Sequence, residues 1–336
     1  MMDINLFSPF KIKDLEIKNR IVLPPMCQYS ADHGRVNSWH ETHYKTRAIG
    51  QTGLIIMEAA CVSKDSGITE RDLGLYEDSQ VEPLKKLALQ VKALGSVIGI
   101  QINHAGRKSN LDGITPKGPC NSRFSNDYKA PIALNKEEIA NIVKDFGSAA
   151  KRAELAGLDL IEIHGAHGYL ISSFLSPLSN TREDEYGKDR ALFLKEVLEE
   201  VRSQAKNITI GLRISAYDYN DKGNKPEDFL TYLKPIKEKL DFLDVSTGGV
   251  SEEPIKTYDG YQIEPARFLK EKLGLITFGG GLVTNAKFAN RLVKNGLIDA
   301  VYIGRHMLLD PYFPIKAANT LGVNIDIPSQ YDRGLI

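Results

Sequence analysis

Leu158-Asp159-Leu160-Ile161-Glu162-Ile163, followed at once by His164-Gly165-Ala166-His167-Gly168-Tyr169, is the stretch whose reading decides the fold. The first six residues form a short apolar run that reads as a buried strand. The next six release two imidazoles and a phenol from one strand end, with glycines that let the backbone approach a ligand. Imidazole can donate to an anionic or carbonyl oxygen, and a phenol can donate a proton. A lone histidine beside a turn is usually a satisfied core residue. Three such groups in six residues at a strand end indicate an active site.

Outward from this unit the same alternation fills the chain. Strands are expected near Arg20–Pro24, Gly53–Glu58, Val97–Ile102, Leu158–Ile163, Ile208–Ile214, Phe242–Ser246, Leu275–Phe278 and Ala300–Ile303. Amphipathic helical segments lie between them, including Val81–Leu94, Lys136–Ala156, Ala191–Gln204, Pro226–Leu240 and Thr284–Asn295. Gly95, Gly157, Gly274 and Gly296 stand where helices commonly end. Eight strands, each with a following helical segment, fit an α/β fold: one closed (β/α)8 TIM barrel over residues 1–336 with its active site at the C-terminal strand ends. An open doubly wound sheet also alternates, but it carries a glycine-rich turn after its first strand. Here that strand leads into Pro24-Pro25-Met26-Cys27. Residues 103–131, rich in glycine and proline, are too long and polar for a minimal link and read as a rim loop.

The bulk properties narrow the function. Of 336 residues, 42% are hydrophobic and the formal net charge is zero, which argues against a sequence-independent grip on nucleic acid or acidic lipid. Met1 to Lys13 has no apolar core of signal-peptide length, and no segment is long enough to span a bilayer, so a cytoplasmic protein is expected. Cys27, Cys61 and Cys120 have neither an even count nor metal-ligand spacing, so no metal is expected.

Chemistry collects at the strand ends. The first strand delivers Met26-Cys27-Gln28-Tyr29, the second Glu58-Ala59, the third Gln101-Ile102-Asn103-His104 and the fifth Arg213. The seventh ends in Gly279-Gly280-Gly281 and the eighth in Gly304-Arg305, a pairing suited to phosphate. Arg213 reads either as half of a structural salt bridge or as a cation beside a ring that becomes anionic on reduction. Gln101 offers an amide matched to a ring edge carrying both N–H and C=O. A phosphate, an amide-edged ring and a nearby cation together describe flavin mononucleotide. Two other motifs lead nowhere. In His40-Glu41-Thr42-His43 the second histidine comes one residue early for a zinc-protease helix, and a partly exposed first helix is expected there. Gly165–Gly168 lacks the dinucleotide fingerprint.

With these residues in place, the chain resembles the old yellow enzyme family of FMN-dependent oxidoreductases, in its bacterial thermophilic-like subgroup. The resemblance runs from Leu6-Phe7-Ser8-Pro9 and Lys18–Val22 through Pro25–Ser30, Gln101–Lys108, Ile161–Leu170, Phe174–Pro177, Arg182–Gly187 and Ile303–Arg305 to Gln330–Gly334. It implies FMN contacts at Pro25, Met26, Cys27, Ala59, Gln101, Arg213, Gly280, Gly281, Gly304 and Arg305. His164 and His167 match the pair that holds a substrate's carbonyl oxygen, Tyr169 the proton donor and Tyr29 a substrate-side tyrosine. Cys27 stands where other branches carry threonine. Arg333, on a tail over residues 322–336, resembles an arginine finger donated to a neighbouring subunit of a homodimer or homotetramer.

The implied reaction is reduction of the activated C=C bond of an α,β-unsaturated carbonyl compound. NADPH, with NADH as the alternative donor, reduces FMN; the flavin N5 gives hydride and Tyr169 protonates. Quinone, nitro-compound or nitrate-ester reduction at the same flavin is the alternative reading. Relatives with an iron–sulfur cluster need cysteines that this chain lacks. The His–His–Tyr set argues against the dihydroorotate and dihydrouridine enzymes, and its completeness against a barrel that has lost turnover. The chain departs from the family at Pro24, which removes one backbone N–H, at the shortened Lys188-Asp189 loop, and at Leu335-Ile336, where an aromatic residue is usual.

Overall fold

The structure, a computed structural model, describes residues 4–334; Leu335 and Ile336 lie outside the described residues. The eight core strands are β1 (Ile21–Leu23), β2 (Leu54–Cys61), β3 (Val97–Asn103), β4 (Leu160–Gly165), β5 (Thr209–Ser215), β6 (Phe242–Ser246), β7 (Ile276–Gly279) and β8 (Ala300–Tyr302). Each pairs in parallel with its sequence neighbours, and β8 pairs with β1, so the sheet closes on itself. The expected barrel forms, each strand within a few residues of its expected bounds.

Helices α1 (Ser38–Ile49), α2 (Val81–Ala93), α3 (Lys136–Leu155), α4 (Leu192–Gln204), α5 (Pro226–Leu233), α6 (Ile263–Leu273), α7 (Ala286–Lys294) and α8 (Phe313–Leu321) surround it. Their starts are legible: Asn37, Asn135 and Asn285 cap α1, α3 and α7 by accepting from backbone N–H groups one turn on. One helix departs from expectation. The segment Pro226–Leu240 is α-helical only to Leu233 and continues as a 3-10 turn over Lys234–Lys239. Pro235, with no N–H and a ring that crowds the preceding turn, accounts for the break. The segment His40–His43 lies on a partly exposed first helix as expected, with Trp39 and Thr42 outward and the His40 and His43 rings buried.

The sequence reading did not anticipate the antiparallel hairpin of Phe10–Ile12 and Leu15–Ile17. Three-residue strands are too short to show a period. Their apolar side chains Phe10, Ile12 and Ile17 join Val22, Leu54, Ile56, Leu160, Phe242, Phe278 and Ala300 in a second core inside the barrel. Phe10 meets the edge of Phe278, which stacks on Phe242 at 4.8 Å. The hairpin therefore plugs the N-terminal end of the barrel and leaves the other end for chemistry. Residues 103–131 cross that other end, with a short turn at Gly106–Lys108 and a two-residue pairing of Lys117–Gly118 with Ile132–Ala133.

Removing the plug's side chains should loosen the whole barrel. Ile12→Ala is expected to lower unfolding free energy by about 2–5 kcal/mol, read as a lower urea midpoint at unchanged slope. A midpoint within error of wild type would show that the hairpin merely rests on the barrel.

Candidate active site

A one-residue bulge prepares the mouth. Met57 pairs with Ile100 and Ala59 with Gln101, so Glu58 is the extra residue in β2. Strict alternation would aim Glu58 inward. The bulge shifts the phase: Ala59 takes Gln101's side of the sheet, and Glu58 turns toward α1. There its carboxylate accepts from the Tyr44 hydroxyl at 3.0 Å and from the Gln28 N–H at 2.8 Å. The imidazole of His40 lies 3.5 Å from the same carboxylate. Glu58 thus supports from behind the arc Met26-Cys27-Gln28-Tyr29 that leaves β1.

On that arc, burial beside Asp72 and Glu58 pushes the Cys27 thiol up to about 12, so it stays a neutral thiol. Its side chain hydrogen-bonds Tyr29, whose phenol is also raised by burial and whose backbone adopts φ +48°.

The His–His–Tyr set sits opposite. His164 Nδ1 accepts from the Ala166 N–H at 3.2 Å, which fixes the tautomer with hydrogen on Nε2. Burial, then His167, Arg213 and Lys108, holds its pKa well below the ordinary value, so the ring is neutral. Among the described residues its Nε2 has no hydrogen-bond partner: it is a free donor. His167 Nε2 lies 2.7 Å from Ser246 Oγ, which also accepts from Gln262 Nε2. Tyr169 packs its ring edge-on to His164 at 4.8 Å, and burial raises its phenol, so the proton stays on it at neutral pH.

Two of the glycines near this set also have a structural use. A Cβ at Gly168 (φ +74°) would overlap the Gly249 carbonyl, and one at Gly249 would sit 2.9 Å from His167 Cα. They let the loops after β4 and β6 touch backbone to backbone. Lys108, which the sequence reading did not single out, fastens the junction by donating to the His167 and Gly249 carbonyls at 3.0 and 3.2 Å. Its ammonium lies 4.0 Å from the centre of the Phe124 ring on the rim loop. Burial, then Arg107, lowers its pKa to about 8. Its signal was faint, one lysine inside a long polar loop.

Deeper in the mouth, Gln101 donates from Nε2 to Glu162 at 2.7 Å, and Arg213 Nε lies 3.6 Å from Asp244. Both acids are fully buried. Arg213 therefore has the salt-bridge partner of one sequence reading while also lining a cavity of about 260 Å³, the setting of the other. That cavity gathers Pro25, Met26, His167, Arg213, Gly281, Gly304 and Arg305, together with Tyr261, Gln262 and Tyr302, which the sequence did not announce. Gly281 has φ +96°, and a Cβ there would press on the Tyr261 ring at 2.8 Å. Gly280 lies against Tyr302. A bare backbone cradle, one arginine at its rim and the Arg213 guanidinium lining the same cavity fit a phosphate-bearing, polar-edged group such as FMN.

Arg333 is not brought to this site. It lies on an exposed 3-10 turn, Ser329–Gly334, whose Tyr331 packs against Tyr312. Lys188 ends a short helix, Glu185–Lys188, and Asp189 receives Lys195 at 2.6 Å, so the shortened loop is closed by an ion pair. Among the described residues no helix is long and apolar enough to cross a membrane.

Comparison with known proteins gives concordant results. Residues 5–324 match the model of the NADH:flavin oxidoreductase / NADH oxidase family. An NADPH dehydrogenase of Geobacillus sp. (strain WCH70) is 44% identical over 341 residues, covering 99% of each chain. One from Bacillus subtilis (strain 168) is 43% identical over 335 residues, covering 98% of each. The solved structure of morphinone reductase superimposes with a TM-score of 0.81 at 24% identity, over 97% of this chain and 92% of that one, a likeness of fold.

Glu58 supplies a test of the arc's support. Burial raises its carboxyl from 4.5 to about 7 against the pull of the Gln28 and Tyr44 hydrogen bonds. The folded state then binds the proton more tightly than the unfolded chain. This stabilisation is full below the unfolded value and is lost as pH rises through the folded one. Relative to Glu58→Gln, wild-type stability should fall by about 3 kcal/mol across the window from pH 4.5 to about 7. Urea titrations of both proteins at several pH values read the difference; a pH-independent gap would refute it.

Proposed function

The chain belongs to the NADH:flavin oxidoreductase / NADH oxidase family, and on that premise we propose that it reduces activated C=C bonds of α,β-unsaturated carbonyl compounds. It is an oxidoreductase that uses FMN, with NADPH as the electron donor. FMN held in the site would supply the hydride-transfer chemistry that links NADPH to the substrate. In this reading the cradle at Gly280, Gly281, Gly304 and Arg305 holds the phosphate. Pro25, Met26, Cys27, Ala59, Gln101 and Arg213 surround the ring.

The observation that carries the proposal is the free, neutral His164 Nε2–H beside a protonated Tyr169 phenol at one strand end. A neutral donor pair suits a carbonyl oxygen that gains negative charge as the reaction proceeds, because its hydrogen bonds strengthen with that charge. His164 would donate directly. His167 is set in place through its Ser246 contact and its backbone clamps from Ser215 and Lys108. Tyr169 holds the proton destined for the α-carbon, and Tyr29 closes the substrate side. Arg333, exposed on the tail, is free to reach a second copy of the chain in a homodimer or homotetramer.

The experiment is an anaerobic titration of the purified protein, followed by visible absorption. Its flavin spectrum should bleach with NADPH and return with 2-cyclohexenone. Bleaching without return would replace enones by quinone, nitro or nitrate-ester acceptors. His164→Ala should keep its flavin but reoxidise with the enone roughly 10²–10³-fold more slowly, the loss typical of one preorganised donor. Reoxidation at the wild-type rate would remove the histidine from the mechanism. Arg333→Ala should raise KM for the enone without altering flavin content; an unchanged KM would count against donation between subunits.

A further inference from the structure

Beneath the ring site lies a group of charges that the proposed reaction does not account for. Glu162 on β4 and Asp244 on β6 are both 0% exposed, and Arg213 on β5 is 7% exposed. Glu162 Oε2, both Asp244 carboxylate oxygens and Arg213 Nε lack hydrogen-bond partners when both acids are counted as ionised. Two carboxylates and one guanidinium would leave a net negative charge away from water, which is costly. One shared proton removes the excess charge and gives a partner to Glu162 Oε2 and to one Asp244 oxygen.

The geometry says which acid holds that proton. Strand register sets Arg213 beside Asp244, and the charged atoms lie 3.6 Å apart, so Asp244 is the carboxylate facing the cation. Glu162 pairs in register with Gln101 and accepts from its amide at 2.7 Å. A neutral Glu162 has a use for both oxygens: the carbonyl accepts from Gln101 and the hydroxyl donates to Asp244, with which it is in hydrogen-bond contact. Burial, then the negative Asp244, raises Glu162 well above the carboxylate range. Burial also raises Asp244, but Arg213 and the Glu162 hydrogen bond oppose the shift. Tyr302, Tyr261, His164 and His167 are the other titratable groups on which Arg213 acts; burial raises the two phenols and lowers the two imidazoles, so all four are neutral.

We propose that Glu162 is a positioning residue that stays protonated at neutral pH, donating to Asp244 and accepting from Gln101. Arg213, Asp244 and Glu162 then form a net-neutral triad, and Gln101 is held in one of its two amide orientations. The triad is a property of the protein alone. Its effect on the flavin rests on the ring placement proposed above: the ring meets an Arg213 whose charge is already balanced.

Infrared spectroscopy of the purified protein at about pH 8, beyond the range of Glu58, tests the proton. A protonated-carboxyl stretch should be present and should vanish in Glu162→Gln. That variant, isosteric with the neutral acid, should keep the wild-type melting temperature. Asp244→Asn strips Arg213 of its counter-ion and should move the flavin midpoint potential to more positive values. Absence of the band, or its survival in Glu162→Gln, overturns the triad. The infrared result as expected with an unmoved potential in a folded Asp244→Asn overturns the ring placement instead. If Asp244→Asn does not fold, the wild-type and Glu162→Gln spectra still decide where the proton sits.

Discussion

The interior of an eight-stranded barrel is only wide enough to be filled by side chains, and that limit governs the rest of the molecule. Large and small residues must alternate on facing strands. Leu160 occupies the space beside Gly99, Phe242 the space beside Gly211, and Tyr302 the space beside Gly280, in each case so closely that a Cβ on the glycine would overlap its neighbour. With the lower layers filled by Leu160, Phe242 and Phe278 and sealed by the hairpin, only the upper layer has room for polar groups. The chemistry is confined to one end by volume.

That confinement sets the electrostatics. A narrow, low-dielectric mouth penalises every charge it encloses, and the chain answers in three ways. It neutralises acids and bases: His164 and His167 are held well below their ordinary values, while Glu58 and Cys27 are held above theirs. It pairs the cation it keeps, Arg213, with Asp244. And it turns other cations to mechanical use, Lys108 and Arg107 donating to loop carbonyls at the rim. The same burial strengthens any hydrogen bond that His164 Nε2–H makes, because the surrounding dielectric is low.

Much of the fold was legible because a barrel repeats one local pattern. Strand, turn and helix recur, and Asn37, Asn135 and Asn285 mark helix starts by a purely local hydrogen bond. That His164, His167 and Tyr169 come together, with Arg213 and Gln101 on neighbouring strands, was legible because each stands at or directly after a strand end. What escaped were groups whose role depends on contacts distant in sequence. Asp244 sits in an ordinary strand and Gln262 on a turn just before a helix, and Lys108 acts on carbonyls 59 and 141 residues away.

The sequence by itself determined the number and order of the barrel strands and the end of the barrel at which the imidazoles and phenol of His164, His167 and Tyr169 stand. Periodicity, capping and strand-end position are local quantities, written in neighbouring residues. Only the tertiary structure decided which way those groups face and in what protonation state. The bulge at Glu58 reversed two side chains through a single unpaired residue in β2. The tautomer of His164 was set by one amide two residues on, and its charge by burial among Arg213 and Lys108. Orientation and ionisation answer to the dielectric and the neighbours that folding supplies, and no run of sequence contains them.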